Sequence, residues 1–236
     1  MITAVRSVGL RVEDTDAAEA FYRDVVGLPD PSTLVRLRSD GVTAPAPRRA
    51  AGLFHTAFRF PARADLSDAL RRVAARGARL TGASDHGVSE ALYLDDPSGN
   101  GVELYWDRPR EVWPDDMYTE PLDLQDLARA GHGSPRAPEG TDIGHVHLKV
   151  SDLPRAEQFW VGDLGFDLMH RYGDQAAFVA TGGYHHHVGL NTWMSSGAPL
   201  APADAAGLDE VVFATDGEER EATDPDGIRV VLSSRR

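Results

Sequence analysis

Two stretches of the chain repeat each other without a gap. Residues 8–28 align with residues 146–166 at a constant shift of 138, and Val8/Val146, Leu10/Leu148, Val12/Val150, Asp14/Asp152, Ala18/Ala156, Glu19/Glu157, Phe21/Phe159 and Gly27/Gly165 are identical. Each copy reads as an alternating strand, an aspartate, a helix carrying Ala-Glu and an aromatic pair (Phe21-Tyr22, Phe159-Trp160), and a glycine stop. An internal repeat constrains a fold more than any local pattern, because each copy must bury its apolar face against another copy.

A second pair of segments repeats more weakly. Gly52–Phe58 matches Gly207–Phe213, and Asp96-Pro97-Ser98-Gly99 matches Asp224-Pro225-Asp226-Gly227. An Asp-Pro-x-Gly turn before an apolar strand is hairpin chemistry, since Pro presets φ and Gly accepts φ > 0. Four modules follow, at about 4–50, 52–106, 142–200 and 206–236. Module 2 is complete: a strand at 53–60, a helix near 64–76 with Leu66, Leu70 and Val73 on one face, and strands near 78–81, 89–95 and 101–106. Module 3 reads the same way. Module 1 passes through Ala44-Pro45-Ala46-Pro47 with little strand signal. Module 4 leaves 13 residues between Glu210 and Asp224, too few for a helix like that of module 2. The expected fold is therefore α+β: tandem βαβββ modules forming curled mixed sheets around a metal-binding cup, with modules 1 and 4 shortened. The expected domains are 1–106 (modules 1 and 2) and 142–236 (modules 3 and 4). Residues 107–141, rich in Pro, Gly and Asp, form a linker with one short helix over Leu122 to Ala130.

Composition removes several classes of function. The chain has 236 residues and no cysteine, which excludes disulfide scaffolds, thiolate zinc sites and cysteine nucleophiles. A net charge of −13 works against a nucleic-acid partner, because such binding rests on neutralising phosphates. No run approaches a membrane span, and the first residues carry no signal-peptide pattern, so a cytoplasmic protein is expected. A small uncharged or metal-chelating ligand remains. The edges left by the trimmed modules are consistent with a homodimer.

Nine histidines is a high count for this length, and several fall at matching module positions. His55 lies in the first strand of module 2, His145 in the first strand of module 3, and Glu103 in the last strand of module 2. Two imidazoles and one carboxylate on strands form a ligand set that suits Fe(II) or Mn(II) and leaves positions open for substrate and oxygen. The repeat equivalents of His145, His55 and Glu103 are Ser7, Glu210 and Val231, so the full set survives only if modules 2 and 3 face each other. His147 shares a face with His145 and stands as the alternative ligand. Strand alternation places His185 and His187 on one face and His186 on the other. His132 and His170 read as solvated.

Segments 85–110, 143–160 and 182–193 resemble the vicinal-oxygen-chelate superfamily, which comprises the glyoxalase, bleomycin-resistance and extradiol-dioxygenase proteins. Within it the chain resembles the bacterial catechol 2,3-dioxygenase-like proteins. The resemblance implies a non-haem Fe(II) extradiol dioxygenase, with Mn(II) as an alternative metal, cleaving a small aromatic diol with O₂. It also favours His145 over His147 as the ligand. It assigns His187 the acid–base role and gives Tyr93 and His86 hydrogen bonds to the substrate. His185, Asn191 and Trp193 are expected to line the substrate pocket. The alternatives within the same fold are a glyoxalase-like isomerase or thiol transferase, or a ligand-sequestering protein without catalysis.

Overall fold

The computed structural model describes residues 2–234. In chain order the elements are β1 (Ile2–Arg11), α1 (Thr15–Phe21), β2 (Val35–Arg38), β3 (Gly52–Phe60), α2 (Arg63–Ala75), β4 (Leu80–Asp85), β5 (Ser89–Asp95), β6 (Gly101–Asp107), β7 (Glu120–Pro121), α3 (Leu124–Arg129), β8 (Asp142–Lys149), α4 (Leu153–Glu157), β9 (Asp167–Tyr172), β10 (Ala176–Ala180), β11 (Val188–Asn191), β12 (Gly207–Thr215), β13 (Arg220–Thr223) and β14 (Arg229–Ser234). This is an α+β fold.

The repeats are visible in local structure. Asp14 and Asp152 cap equivalent helices, accepting from the amides of Asp16 and Ala17 in one copy and of Arg155 in the other. Both helices widen into an i→i+5 turn, Tyr22–Val26 and Gln158–Asp163. The two Asp-Pro-x-Gly turns also match. Gly99 and Gly227 take φ of 80° and 88°, and their amides bond Asp96 O and Asp224 O at 3.0 Å. Each turn closes an antiparallel hairpin, β5·β6 and β13·β14.

The strands form one mixed sheet. Its main path runs β13-β14-β12-β1-β8-β3-β6-β5-β4-β7, and a branch at β8 adds β11, β10 and β9. The first and last strands of each repeat pair in parallel: β1·β2, β3·β6, β8·β11 and β12·β14. Antiparallel seams join β1 to β12 and β3 to β8. One face of the sheet is covered by the helices. There Phe58, Phe60 and Leu104 from the strands pack with Leu66, Ala69 and Val73 of α2. The opposite face of β3, β6 and β8 carries the histidines.

The β3·β8 and β1·β8 pairings join the curled arrays into one sheet. Two details add to the sequence reading. The segment 107–141 is built into the fold: β7 extends the sheet beyond β4, and α3 packs against α2 through the buried Leu127. Finally, β11 begins at Val188, so His185, His186 and His187 precede the strand. No helix among the described residues is long and apolar enough to cross a membrane.

Candidate metal centre

Three adjacent strands, in the order β8, β3 and β6, place the candidate ligands. Side chains two apart share a face, so His55 lies with Ala57, Glu103 with Tyr105, and His145 with His147. Ala57 is the direct cross-strand partner of both Glu103 and His145. Its methyl group leaves open the volume into which the larger side chains lean. His55 Nε2 lies 2.8 Å from Glu103 Oε2, and His145 Nε2 lies 3.1 Å from the same oxygen. The ligand atoms of His55, Glu103 and His145 all fall within 4.8 Å of one another. The structure therefore brings together His55, Glu103 and His145. His147 stands across the seam from His55, with its ring against Phe54, Phe178 and Trp193.

The electrostatics suit a cation. All three residues are buried, at 5%, 3% and 2% exposure. Burial pushes the His145 imidazole down to about 4 and takes His147 well below the usual histidine range. Burial would raise the Glu103 carboxyl, but His145 and His55 against it outweigh that and hold it low. His55 Nε2 faces the carboxylate without the alignment of a hydrogen bond. Among the described residues, no lysine or arginine lines the surrounding cavity. A buried carboxylate without a cationic side chain is costly to fold around, and a bound ion relieves that cost. The donor set, imidazole nitrogen and carboxylate oxygen, fits Fe(II) or Mn(II).

The triad forms the floor of a cavity of about 540 Å³, within the usual range for small-molecule sites. Tyr93 and His86 stand on one wall. His86 Nδ1 lies 3.1 Å from both Tyr118 O and Thr119 Oγ1. Its Nε2 lies 2.8 Å from the Tyr93 hydroxyl, and the two side chains hydrogen-bond there. The phenol is buried beside Glu103, and both effects hold its pKa well above the ordinary value.

On the opposite wall the placement departs from strand alternation. Gly182 and Gly183 take φ of 65° and 72°, and the irregular backbone after them ends the period of two. His186 faces the cavity, with its ring centroid 4.0 Å from that of His145. His187 lies in a separate cavity with Arg59, Tyr184 and residues of β1, apart from the triad. His185 is buried behind the wall, against Asp107. Asn191 is wholly buried, and its Oδ1 accepts from the Trp193 amide; it does not line the cavity. Of the three expected pocket residues, Trp193 alone does so.

Several cavity residues were not singled out from sequence. Phe54 reaches the wall because a bulge at Leu53/His55 on the β3·β8 seam re-aims it. Met117, Tyr118 and Thr119 come from the linker. His170, read as solvated, lines the cavity with Tyr172 and Phe178. These last three lie on the β9·β10 hairpin, beyond β11 from His145.

The chain resembles a known superfamily: the profile of the glyoxalase/bleomycin resistance protein/dioxygenase superfamily matches residues 4–104. It is 46% identical over 171 residues to a catechol-2,3-dioxygenase of Bacillus subtilis, a match covering 69% of this chain and 60% of that protein. It is 42% identical over 67 residues to a biphenyl-2,3-diol 1,2-dioxygenase of Rhodococcus globerulus, covering 28% of this chain and 35% of that one. The chain thus spans less than two thirds of the length of the named relatives it matches. Among solved structures, glyoxalase I from Zea mays superposes with a TM-score of 0.60 at 16% identity, covering 97% of this chain and 91% of that one. That likeness is one of fold.

Proposed function

We propose that this protein is a metal-dependent extradiol dioxygenase that opens an aromatic 1,2-diol beside its hydroxyl groups with O₂. The observation that carries this reading is the His55–Glu103–His145 set on the floor of an aromatic-walled cavity, with a Tyr93–His86 pair on one side and His186 on the other. The names of the catechol and biphenyl-diol dioxygenases similar to this chain support it.

Each residue has a part. His55, Glu103 and His145 would hold Fe(II), with Mn(II) as the alternative. Bound there, the ion supplies Lewis acidity toward both diol oxygens and redox chemistry with O₂. His186 accepts the proton of a diol hydroxyl, the part that sequence resemblance gave to His187. The Tyr93 hydroxyl, oriented by His86, hydrogen-bonds the substrate's oxygen edge. Phe54, Phe178 and Trp193 hold the ring and exclude water. The described cavity lining holds no lysine or arginine, which favours an uncharged diol over one bearing a carboxylate. We also read 1–106 and 142–236 as the two repeat-built halves, with 107–141 supplying a wall of the pocket.

The test is anaerobic loading with Fe(II), then addition of 4-methylcatechol, biphenyl-2,3-diol and 3,4-dihydroxybenzoate in aerated buffer. Stoichiometric O₂ uptake and a yellow ring-opened product from the two neutral diols are expected, with the acid turned over far more slowly. One bound metal per chain without O₂ uptake on any of the three would overturn the reading.

A further inference from the structure

The cavity above the triad is not closed by the sheet alone. Part of its wall is Met117, Tyr118 and Thr119, from the irregular segment 114–119 just before β7. An outer cleft of about 480 Å³ lies beyond that wall, between Asp116 and Met117 of this segment and residues 170–175 of the β9·β10 hairpin. The two spaces share Met117, His170 and Tyr172, so these three side chains form the partition between them.

Segment 114–119 is held firmly at both ends and loosely between. Before it, Trp113 Nε1 donates to Arg108 O at 2.8 Å, and the Arg110 guanidinium lies 4.3 Å from the centre of the Trp113 ring while donating to Gly183 O. After it, Glu120 and Pro121 pair with Asp85 and Ser84 of β4. Between these anchors no side chain is buried: Pro114 and Met117 are half-buried, and Asp115, Asp116, Tyr118 and Thr119 are exposed. Among the described residues, the hydrogen bonds that this stretch makes to the rest of the protein all go to His86. The Tyr118 amide donates to His86 O at 3.4 Å, and His86 Nδ1 lies 3.1 Å from Tyr118 O and from Thr119 Oγ1. Toward the hairpin, Asp116 Oδ1 lies 3.8 Å from His170 Nδ1, beyond hydrogen-bond reach. The Tyr118 ring rests on Gly87, where a Cβ would come 2.6 Å from its Cε1, so the segment sits down on the cavity only because that position has no side chain.

A segment that buries no apolar side chain and is tied by few hydrogen bonds opens at small cost, and lids are drawn from such segments. We propose that residues 114–119 are a lid over the metal-centre cavity, and that substrate enters between this lid and the β9·β10 hairpin by way of the outer cleft. Met117, His170 and Tyr172 are then the gate. The unbranched, flexible Met117 side chain can swing aside there without disturbing the sheet. His86 seats the closed lid, and the anchors at Trp113 and β7 confine the movement, so that β6, which carries Glu103, stays in place. The inference rests on the dioxygenase reading only for the identity of the molecule that enters.

The chain has no cysteine, so a lock can be installed without competing thiols. In the double variant Asp116→Cys, His170→Cys, a short bis-methanethiosulfonate reagent joins lid to hairpin, mass spectrometry verifies the link, and dithiothreitol releases it. The protein is loaded with Fe(II) without oxygen and mixed with 4-nitrocatechol, whose colour changes on chelation, so entry is timed without turnover. The linked form should take up 4-nitrocatechol at least about tenfold more slowly than the same sample after reduction, at equal metal content. A second measurement needs no variant. In hydrogen exchange of the metal-free wild type, the Tyr118 amide should exchange far faster than the amides of β3 and β6. Equal association rates for the linked and reduced forms, or a Tyr118 amide as protected as those of β3, would overturn the proposal. If the link slows entry and the wild type cleaves no diol, the lid stands and the dioxygenase reading fails. If the wild type cleaves diols and the link changes nothing, the lid falls and that reading stands.

Discussion

The sheet contains the same three-strand arrangement twice, and among the described residues one copy gathers a set of side chains that could hold a metal. On the β3·β8 seam His55 faces His147 and Ala57 faces His145; on the β1·β12 seam Glu210 faces Gly9 and Val212 faces Ser7. Ala57 pairs with Glu103 on one side, and Val212 pairs with Val231 on the other. These are the same register positions under the repeat shifts. In the first copy a buried carboxylate meets imidazole nitrogens and, among the described residues, no lysine or arginine. In the second, the buried Glu210 carboxylate is bound by Arg36 from β2 and Arg229 from β14. Backbone register is therefore not what makes a metal site. What matters is whether the protein neutralises its own buried charge or leaves that to an ion.

The largest expected effect tests that statement directly. Glu103→Gln should weaken metal binding by more than the ~10- to 100-fold that loss of an outer hydrogen-bond partner costs. Glu210→Gln should leave metal content at the wild-type level. Metal analysis and isothermal titration check both. Equal loss of metal from the two variants would dissolve the distinction between the halves.

The next effect contrasts neighbours in one tripeptide. His186→Ala should lower kcat by about 10²- to 10⁴-fold, the range for losing a general base. His187→Ala, in a separate cavity, should stay within a few-fold of wild type. Steady-state kinetics with metal content matched decide the point, and a larger loss at His187 would restore the role read from sequence.

A third comparison concerns the two hairpin turns. Asp96 accepts from the Ser98 and Asn100 amides, from Asn100 Nδ2 and from the Tyr22 hydroxyl. At the equivalent positions Asn100 becomes Ile228 and Tyr22 becomes Trp160. Asp224 keeps two amide donors, while its Oδ2 is buried without a hydrogen-bond partner. Burial pushes Asp224 up to about 7. An unfolded aspartate titrates near ~3.9, so the folded state binds the extra proton between there and about 7 and wild-type stability falls as pH rises through that window. Asn cannot ionise. Asp224→Asn should therefore gain stability relative to wild type between pH 4 and pH 8, by up to a few kcal/mol. Urea unfolding at several pH values checks it; a flat difference would refute the raised pKa. The smallest effect returns to Glu210. Its arginine partners are 57% and 50% exposed at the side chain, so Glu210→Gln should cost no more than about 1 kcal/mol in the same assay.

Much of this was legible in the chain itself. Repeat spacing, capping aspartates, Asp-Pro-x-Gly turns and apolar periodicity are local signals, and each determined an element or a turn without help from elsewhere. His55, Glu103 and His145 could be singled out because regular strands preserve a period of two, so residue type and register together foretell which side chains meet. Other features were settled only in three dimensions. Nothing local says that residues 182–187 leave the strand period, so which of three consecutive histidines enters the cavity depends on how two glycines turn the chain before β11. Nothing local says that Phe54 is re-aimed by a bulge, since the bulge exists only against β8. The Met117–Thr119 wall, and the contact of His185 with Asp107, join residues dozens of positions apart. Such contacts are created by packing, because an irregular segment has no period of its own and takes its side-chain directions from the surfaces it lands on.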